Sequence, residues 1–462
     1  MTRVLIIGGG PGGYEAALVA AQLGAKVQLV SDAAMGGATV LTDCVPSKTL
    51  IATAEAITTT SESGELGVVL AGQTASAEQV SADLVQINQR IKSLALAQSA
   101  DITTKLKAEE IEIFLGKAQI KGPGVVVAGD TELNFDVLLI ATGARPRVLE
   151  KIKPDGERIL DWQQLYDLTE LPKKLIVIGS GVTGAEFASA YNALGSEVVL
   201  ISSRDRVLPS EDPDAATALE NVFARRGMEV INNARAVSVI NTGSGVEIEL
   251  ASGEKISGSH ALVAIGSLPN TQSIGLEALG VSTTASGHIE VDRVSRTSVR
   301  NVYAAGDCTG ILPLASVAAM QGRIAMYHAL GDAVSPLDLQ TVSSNVFTDP
   351  EIASVGITQQ MVDAGEVAAR VLTLSLAGNA RAKMHGQTDG FVKLFSSPES
   401  SRILGGVVVA RNASELIYPI AIAVEQRLTT DQLANTFTVY PSLTGSIAEA
   451  ARRLHRVNIG TE

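Results

Sequence analysis

The chain opens with a short apolar run, Arg3 to Ile7, that enters the glycine-rich stretch Gly8 to Gly13 directly. Tyr14 to Leu23 then has the composition of a helix, and Lys26 to Val30 is apolar again. Short apolar runs on either side of a helix-length segment predict strand, turn, helix and strand, a βαβ unit. The same order recurs from Lys174 to Ile201, and the two segments superpose without a gap. Gly8, Gly10, Gly13, Glu15, Ala17, Leu23, Gly24, Val27 and Ser31 fall on Gly179, Gly181, Gly184, Glu186, Ala188, Leu194, Gly195, Val198 and Ser202. Identical spacing in two places predicts two equivalent folds.

Further strand-like pieces end in glycine: Asp136 to Arg147, carrying Thr142 and Gly143; His260 to Thr271, carrying Gly266; and Arg300 to Cys308, carrying Asp307. A helix is expected around Ala82 to Lys107. Its apolar residues Leu84, Ile87, Ile91, Leu94 and Leu96 recur at near-helical intervals and read as ordinary packing. From about Thr341 the texture changes to short strands, GFVKLF and GGVVVA, and to helices, SELIYPIAIAVEQRL and GSIAEAARRL. This predicts a separate α+β domain. The expected class is α/β, with two Rossmann-like dinucleotide-binding domains and a C-terminal α+β domain.

Each glycine of a G-x-G-x-x-G turn has its own task. The first permits the tight strand-to-helix turn, the second lets the backbone approach a pyrophosphate, and the third allows close helix-to-sheet packing. The amides and dipole at the helix N-terminus stabilise the phosphate charge. One such motif is weak evidence, because a glycine-rich turn can be purely architectural. Two in register, each between a strand and a helix, point to two dinucleotide sites.

Composition narrows the choice of partners. Lys plus Arg is 36 against Asp plus Glu 49, a formal net charge of -13, which disfavours partners bound through phosphate neutralisation. Nucleic acid is not expected. Although 46% of residues are hydrophobic, no stretch approaches the ~20 uninterrupted apolar residues of a membrane span. The N-terminus lacks the longer apolar core and cleavage site of an export signal. The only cysteines, Cys44 and Cys308, form neither a disulfide framework nor a metal-ligand cluster, so no metal is expected and the predicted setting is cytoplasmic.

The ordered motifs GGGPGG, GGATVLTDCVPSK, ATGARPR, GSGVTGAE, AAGDC, FTDPEIASVG and VYPSLTGSIAEA resemble the flavoprotein pyridine nucleotide-disulfide oxidoreductases over nearly the whole chain. The resemblance implies FAD in a split domain, 1–147 with 271–340, and NAD(P)H in an inserted domain, 148–270. It also implies a homodimer formed through 341–462. Carried over residue by residue, Gly8, Gly10 and Gly13 would hold the FAD pyrophosphate, with Ser31 or Asp32 near the adenosine ribose. An acid is usual where Ser31 stands. Thr39, Lys48, Thr142, Gly143, Asp307 and Ala315 complete the FAD set, Asp307 accepting from the flavin side chain or, on a plainer reading, capping a helix. Lys48 resembles the lysine beside flavin N5, and Glu186 its salt-bridge partner near the nicotinamide, a pair suited to steady developing charge. Taken alone, Glu186 is an acid in a helix's first turns, where the dipole favours it. NAD(P)H would use Gly179, Gly181, Gly184, Glu186, Ser202, Ser203, Arg204 and Gly266. No acid stands at Ser202 to repel a 2'-phosphate, so NADPH is admitted, and Arg204 or Arg206 could pair that phosphate. NADPH is expected to serve at least as well as NADH.

The chemistry of disulfide reduction is incomplete. Family members carry C-x-x-x-x-C, but here the stretch reads Thr39-Val-Leu-Thr-Asp-Cys44. A threonine hydroxyl is far less acidic than a thiol, at ~8.5, and forms no disulfide. Where the family has His-Pro-Thr-Leu-Ser-Glu, this chain has Tyr440-Pro441-Ser442-Leu443-Thr444-Gly445, so both the acid and its orienting carboxylate are gone. None of the five histidines has an evident catalytic context. What survives is hydride transfer from nicotinamide to flavin, and a quinone needs no sulfur chemistry to take electrons from there. The motifs also resemble a lipoamide-dehydrogenase-like NAD(P)H:quinone reductase branch. Two alternatives stay open: a transhydrogenase-like flavoprotein, and a non-catalytic FAD- and NAD(P)H-binding sensor. Cys44 is either a thiol that tunes the flavin or an inert small residue, and the role of Tyr440 is open.

Overall fold

The computed structural model describes residues 1–387 and 389–455. Strand β1 (Arg3–Ile7), helix α1 (Pro11–Gln22) and strand β2 (Lys26–Ser31) form the first predicted unit. Helices α2 (Gly37–Leu41), α3 (Cys44–Glu62) and α4 (Leu84–Ala108) follow. The strands assemble into an all-parallel sheet in the order Val302–Ala304, Val137–Ile140, β1, β2, Glu112–Leu115. The second unit, Lys174–Ile178, α5 (Val182–Ala193) and Glu197–Ile201, builds an equivalent sheet. Its order is Ile159–Leu160, His260–Val263, Lys174–Ile178, Glu197–Ile201, Glu229–Ile231, again parallel.

Side chains alternate faces along each strand, and both faces of each sheet are covered. Val4 and Ile6 pack on α1 through Ala16, Ala17 and Val19, while Leu5 and Ile7 meet Ile120, Val126 and Leu133. The latter belong to a three-stranded antiparallel meander, Ala118–Gly122, Val125–Ala128 and Thr131–Asn134. In the second unit Leu175 and Val177 pack on α5, while Ile176 and Ile178 meet Val239, Val246 and Ile248 of the meander Ala236–Asn241, Val246–Leu250, Lys255–Gly258. The duplication therefore extends beyond the glycine motif to the antiparallel cover of each sheet.

The C-terminal part is an antiparallel sheet in the order Ser343–Val346, Glu351–Gly356, Ile403–Ala410, Phe391–Ser396, Arg370–Ser375. Helix α6 (Pro213–Arg225) of the second unit is tied to it by an ion cluster: Lys393, 1% exposed at its side chain, lies 2.8 Å from Asp212 and 2.6 Å from Asp214. Two sequence expectations need correction. Leu94 and Leu96 are not packed but 41% and 63% exposed, because they fall outside the stripe that buries Leu84, Ile87 and Ile91. The expected helix SELIYPIAIAVEQRL is two helices, Ala413–Leu416 and Tyr418–Glu425, with Pro419 in the first turn of the second, where its missing N–H costs no helical bond. Among the described residues no helix is long and apolar enough to cross a membrane.

Candidate functional site

The two glycine turns are nearly superimposable, and their glycines divide into two physical kinds. Gly8 has φ +114° and Gly179 φ +111°, and each N–H donates to the second strand of its unit, at Val30 O (2.8 Å) and Ile201 O (3.0 Å). A Cβ on Gly13 would lie 1.8 Å from Gly8 O, and one on Gly184 would lie 1.8 Å from Gly179 O. The fold itself demands these four glycines. Gly10 and Gly181 differ: they start α1 and α5 in extended conformations open to any residue, with φ -75° and -72°. A Cβ on Gly10 would meet nothing nearer than Gly37 Cα at 4.0 Å, and one on Gly181 would meet nothing within 4 Å. Neither backbone strain nor packing within the chain requires them bare. The space beside them suits a group bound against the helix N-terminus.

Gly10 borders a cavity of about 510 Å³ at the C-terminal ends of the first sheet's strands, a volume in the ~300–1,000 Å³ range of small-molecule sites. The sequence-predicted Gly8, Ser31, Asp32, Thr39, Cys44, Thr142, Gly143, Asp307 and Ala315 all line it. Gly13 and Lys48 do not. Helix α7 (Ala315–Ala329) begins at the cavity, and neither it nor α1 has a side-chain cap, so both present unpaired N–H groups to whatever binds. Asp307 follows Gly306 (φ +80°) at the end of a strand, and its side chain caps nothing in the short turn it opens. Burial raises its pKa, with His288 opposing.

Beside the cavity the two units touch chemically. Lys48, one turn into α3, lies 2.8 Å from Glu186 on α5, with side-chain exposures of 30% and 4%. Glu186 also accepts from Phe347 N–H at 2.9 Å, and the Lys48 ammonium stands 4.8 Å from the Phe347 ring centre. Burial is the largest influence and opposes the Lys48 charge, but Glu186, Cys44 and Asp43 together outweigh it and the lysine's pKa ends above its usual value. The Cys44 thiol is pushed up to about 11, first by burial and then by Asp43, so it stays protonated at neutral pH. Cys308 is fully buried, and both thiols are free.

Other sequence-predicted residues stand apart. Tyr440 is 87% exposed and does not line the cavity. Ser202 is buried in its own loop, bonded to Ser180 Oγ at 2.7 Å and accepting from Arg204 N–H at 3.1 Å. Ser203 and Arg204 are exposed, whereas Arg206 pairs with Asp205 at 2.8 Å. Gly266 (φ +92°) has open space where a Cβ would stand. Two groups escaped the sequence reading. Asp43 lines the cavity next to Cys44, although a carboxyl just before a helix reads as a cap. Tyr166, in the turn Gln164–Asp167, has a buried hydroxyl without a hydrogen-bond partner, and no motif surrounds it.

Comparison with known proteins places this geometry. The pyridine nucleotide-disulphide oxidoreductase family matches residues 2–322, and the dimerisation domain of that family matches residues 342–451. A Mycobacterium tuberculosis protein named NAD(P)H dehydrogenase (quinone) is 52% identical over 98% of this chain and 94% of its own. A dihydrolipoyl dehydrogenase of Geobacillus stearothermophilus is 34% identical over 97% of this chain and 95% of its own. The crystal structure of LpdA from Mycobacterium tuberculosis superposes with a TM-score of 0.93 at 52% identity, covering 99% of this chain and 100% of that one.

Proposed function

Because the chain belongs to the pyridine nucleotide-disulphide oxidoreductase family, we propose that it is an FAD-dependent NAD(P)H:quinone oxidoreductase, a cytoplasmic homodimer that does not reduce disulfides. The observation that carries this reading is a cofactor cradle and an intact Lys48–Glu186 pair beside a single thiol, with threonine at 39 and tyrosine at 440. The 52% identical relative named for quinone reduction supports it.

In this reading 1–147 with 271–340 hold FAD, 148–270 hold NAD(P)H, and 341–462 form the dimer contact. Gly8, Gly10 and the unpaired amides of α1 would hold the pyrophosphate. Asp307 and the amides of α7 would face the flavin and its side chain, with Thr39, Thr142, Gly143 and Ala315 shaping the walls, and Ser31 and Asp32 would lie toward the ribose. When bound, FAD accepts a hydride from NAD(P)H and passes two electrons to a quinone. The protein's part is positional and electrostatic. Gly181 would admit the nicotinamide nucleotide to the N-terminus of α5, and Gly266 has open space where a Cβ would stand. The Lys48 charge, held by Glu186, would offset negative charge on a bound flavin, and the bond from Phe347 N–H keeps Glu186 from turning away. Arg204, exposed and close to Ser203, would meet a 2'-phosphate. The Thr39 hydroxyl and protonated Cys44 leave no thiolate to divert electrons into sulfur exchange.

Steady-state kinetics of the yellow protein with NADPH and menadione test the reading. Parallel double-reciprocal lines are expected, since the oxidised nucleotide leaves before the quinone enters. Full flavin occupancy with no menadione-dependent NADPH oxidation would overturn it.

A further inference from the structure

Reduction of a quinone by NAD(P)H consumes a proton: NAD(P)H + H⁺ + quinone gives NAD(P)⁺ + hydroquinone. One hydrogen travels with the electron pair, and the other must come from an acid at the site. The sequence has lost the histidine that would hold it, and Tyr440, which stands in its place, is exposed and outside the cavity of its own chain. The question is which group inside can serve.

Resting on the quinone-reductase reading, we propose that Asp43 is the proton donor to the quinone. Two observations on the chain itself carry this. Asp43 lines the cofactor cavity beside Thr39 and Cys44. It occupies the position before the first residue of α3, where an aspartate ordinarily caps the helix, yet its side chain makes no capping bond and its backbone (φ -128°, ψ -96°) is not that of a cap. A carboxyl in that position that serves no helix amide is free for another task.

The surroundings favour the protonated form. The charged and titratable groups that act on Asp43 or feel its charge are Cys44 and Lys48 of the helix it precedes, Glu186 on α5, Asp307 at the end of the neighbouring strand, and Tyr166. Burial is the largest influence on the carboxyl and raises its pKa; Lys48 opposes, while Glu186 and Asp307 reinforce. Lys48 is paired with Glu186 at 2.8 Å, and the carboxylate of that pair works against the lysine at Asp43. The Cys44 thiol holds a proton, but titrating at about 11 it gives it up less readily than a carboxylic acid does. In the step itself, the O–H bond of the Asp43 carboxyl breaks as the O–H bond of the hydroquinone forms, and solvent reprotonates the carboxylate left behind.

The test uses the holoenzyme with Asp43→Asn, which keeps shape and removes the acid. Menadione takes a proton as it is reduced, whereas ferricyanide takes only an electron. In the variant, menadione turnover at pH 7 should fall by ~10²-fold or more, the size of a lost general acid. Ferricyanide turnover and the anaerobic reduction of bound flavin by NADPH should stay within about threefold. The wild-type menadione rate should decline as pH rises through the Asp43 pKa, a limb that Asp43→Asn lacks and Asp43→Glu partly restores. Independently of turnover, infrared spectra of the wild type should contain a protonated-carboxyl C=O band that disappears in Asp43→Asn. Equal menadione rates in variant and wild type, or an equal loss with both acceptors, would overturn the proton role while leaving quinone reduction intact. A wild type that reduces ferricyanide but not menadione would remove both readings.

Discussion

Placing a methyl group on Gly181 separates what the fold needs from what a nucleotide needs. The glycine adopts φ -72° and ψ -175°, which alanine shares without strain, and a Cβ there meets no protein atom within 4 Å. Alanine is a poorer helix start than glycine, by ~0.5–1 kcal/mol, but it restricts the unfolded chain by ~0.4–1 kcal/mol. These contributions nearly cancel, so the thermal midpoint of Gly181→Ala should stay within about 3 °C of wild type. The same methyl occupies the space into which a pyrophosphate must press against the first amides of α5. Overpacking of that kind costs ~1–3 kcal/mol, which at 1.4 kcal/mol per decade weakens binding by ~5- to 150-fold. Titration calorimetry with NADP⁺ measures the dissociation constant directly, and the KM for NADPH should rise in parallel. Gly184→Ala is the contrast: its Cβ would lie 1.8 Å from Gly179 O, so that variant should fail to accumulate as folded protein. NADP⁺ binding unchanged within twofold in a folded Gly181→Ala would refute the assignment of the second glycine turn to the nicotinamide nucleotide.

Lys48→Met leaves Glu186, 4% exposed, without its cation; the stopped-flow rate of flavin reduction by NADPH should fall by ~10²-fold, while a change under threefold would show that the pair is only structural. Lys393→Met strips the buried Asp212 of its partner, an event that costs ~3–5 kcal/mol, so thermal unfolding should begin markedly earlier. Adding Asp212→Asn, which keeps an oxygen to cap α6 but removes the charge, should recover part of the loss, and a double variant no more stable than the single would contradict the buried-charge explanation. Arg204→Gln should raise the KM for NADPH several-fold and leave that for NADH unchanged, with the NADPH effect fading at high salt; equal effects on both nucleotides would place the arginine elsewhere.

What the sequence disclosed follows from which features are local. The βαβ units are written in contiguous periodicity and in two glycine turns of identical spacing, so the strands were legible to within a residue, while α1 begins at Pro11, three residues before the expected Tyr14. Lys48 and Glu186 lie far apart in the chain, and only the resemblance to relatives joined them; composition could not show that α5 reaches α3. The antiparallel meanders were missed because Ala118 to Asn134 is a run of short strands without a long apolar period. Leu94 and Leu96 misled because near-helical spacing does not say which side of a long helix the core lies on. Asp43 and Tyr166 were invisible for another reason: a carboxyl before a helix looks like a cap until its side chain is seen to cap nothing, and a buried hydroxyl gains meaning only from its neighbours.

The most direct test is an acceptor panel on the purified, flavin-loaded dimer, with NADPH as donor and menadione, benzoquinone, lipoamide and glutathione disulfide compared at equal concentration. Rapid NADPH oxidation with the quinones and only background rates with both disulfides is the expected result. Disulfide reduction at a comparable rate, abolished by Cys44→Ser, would mean that one thiol suffices for sulfur exchange and that Thr39 and Tyr440 have not closed that route.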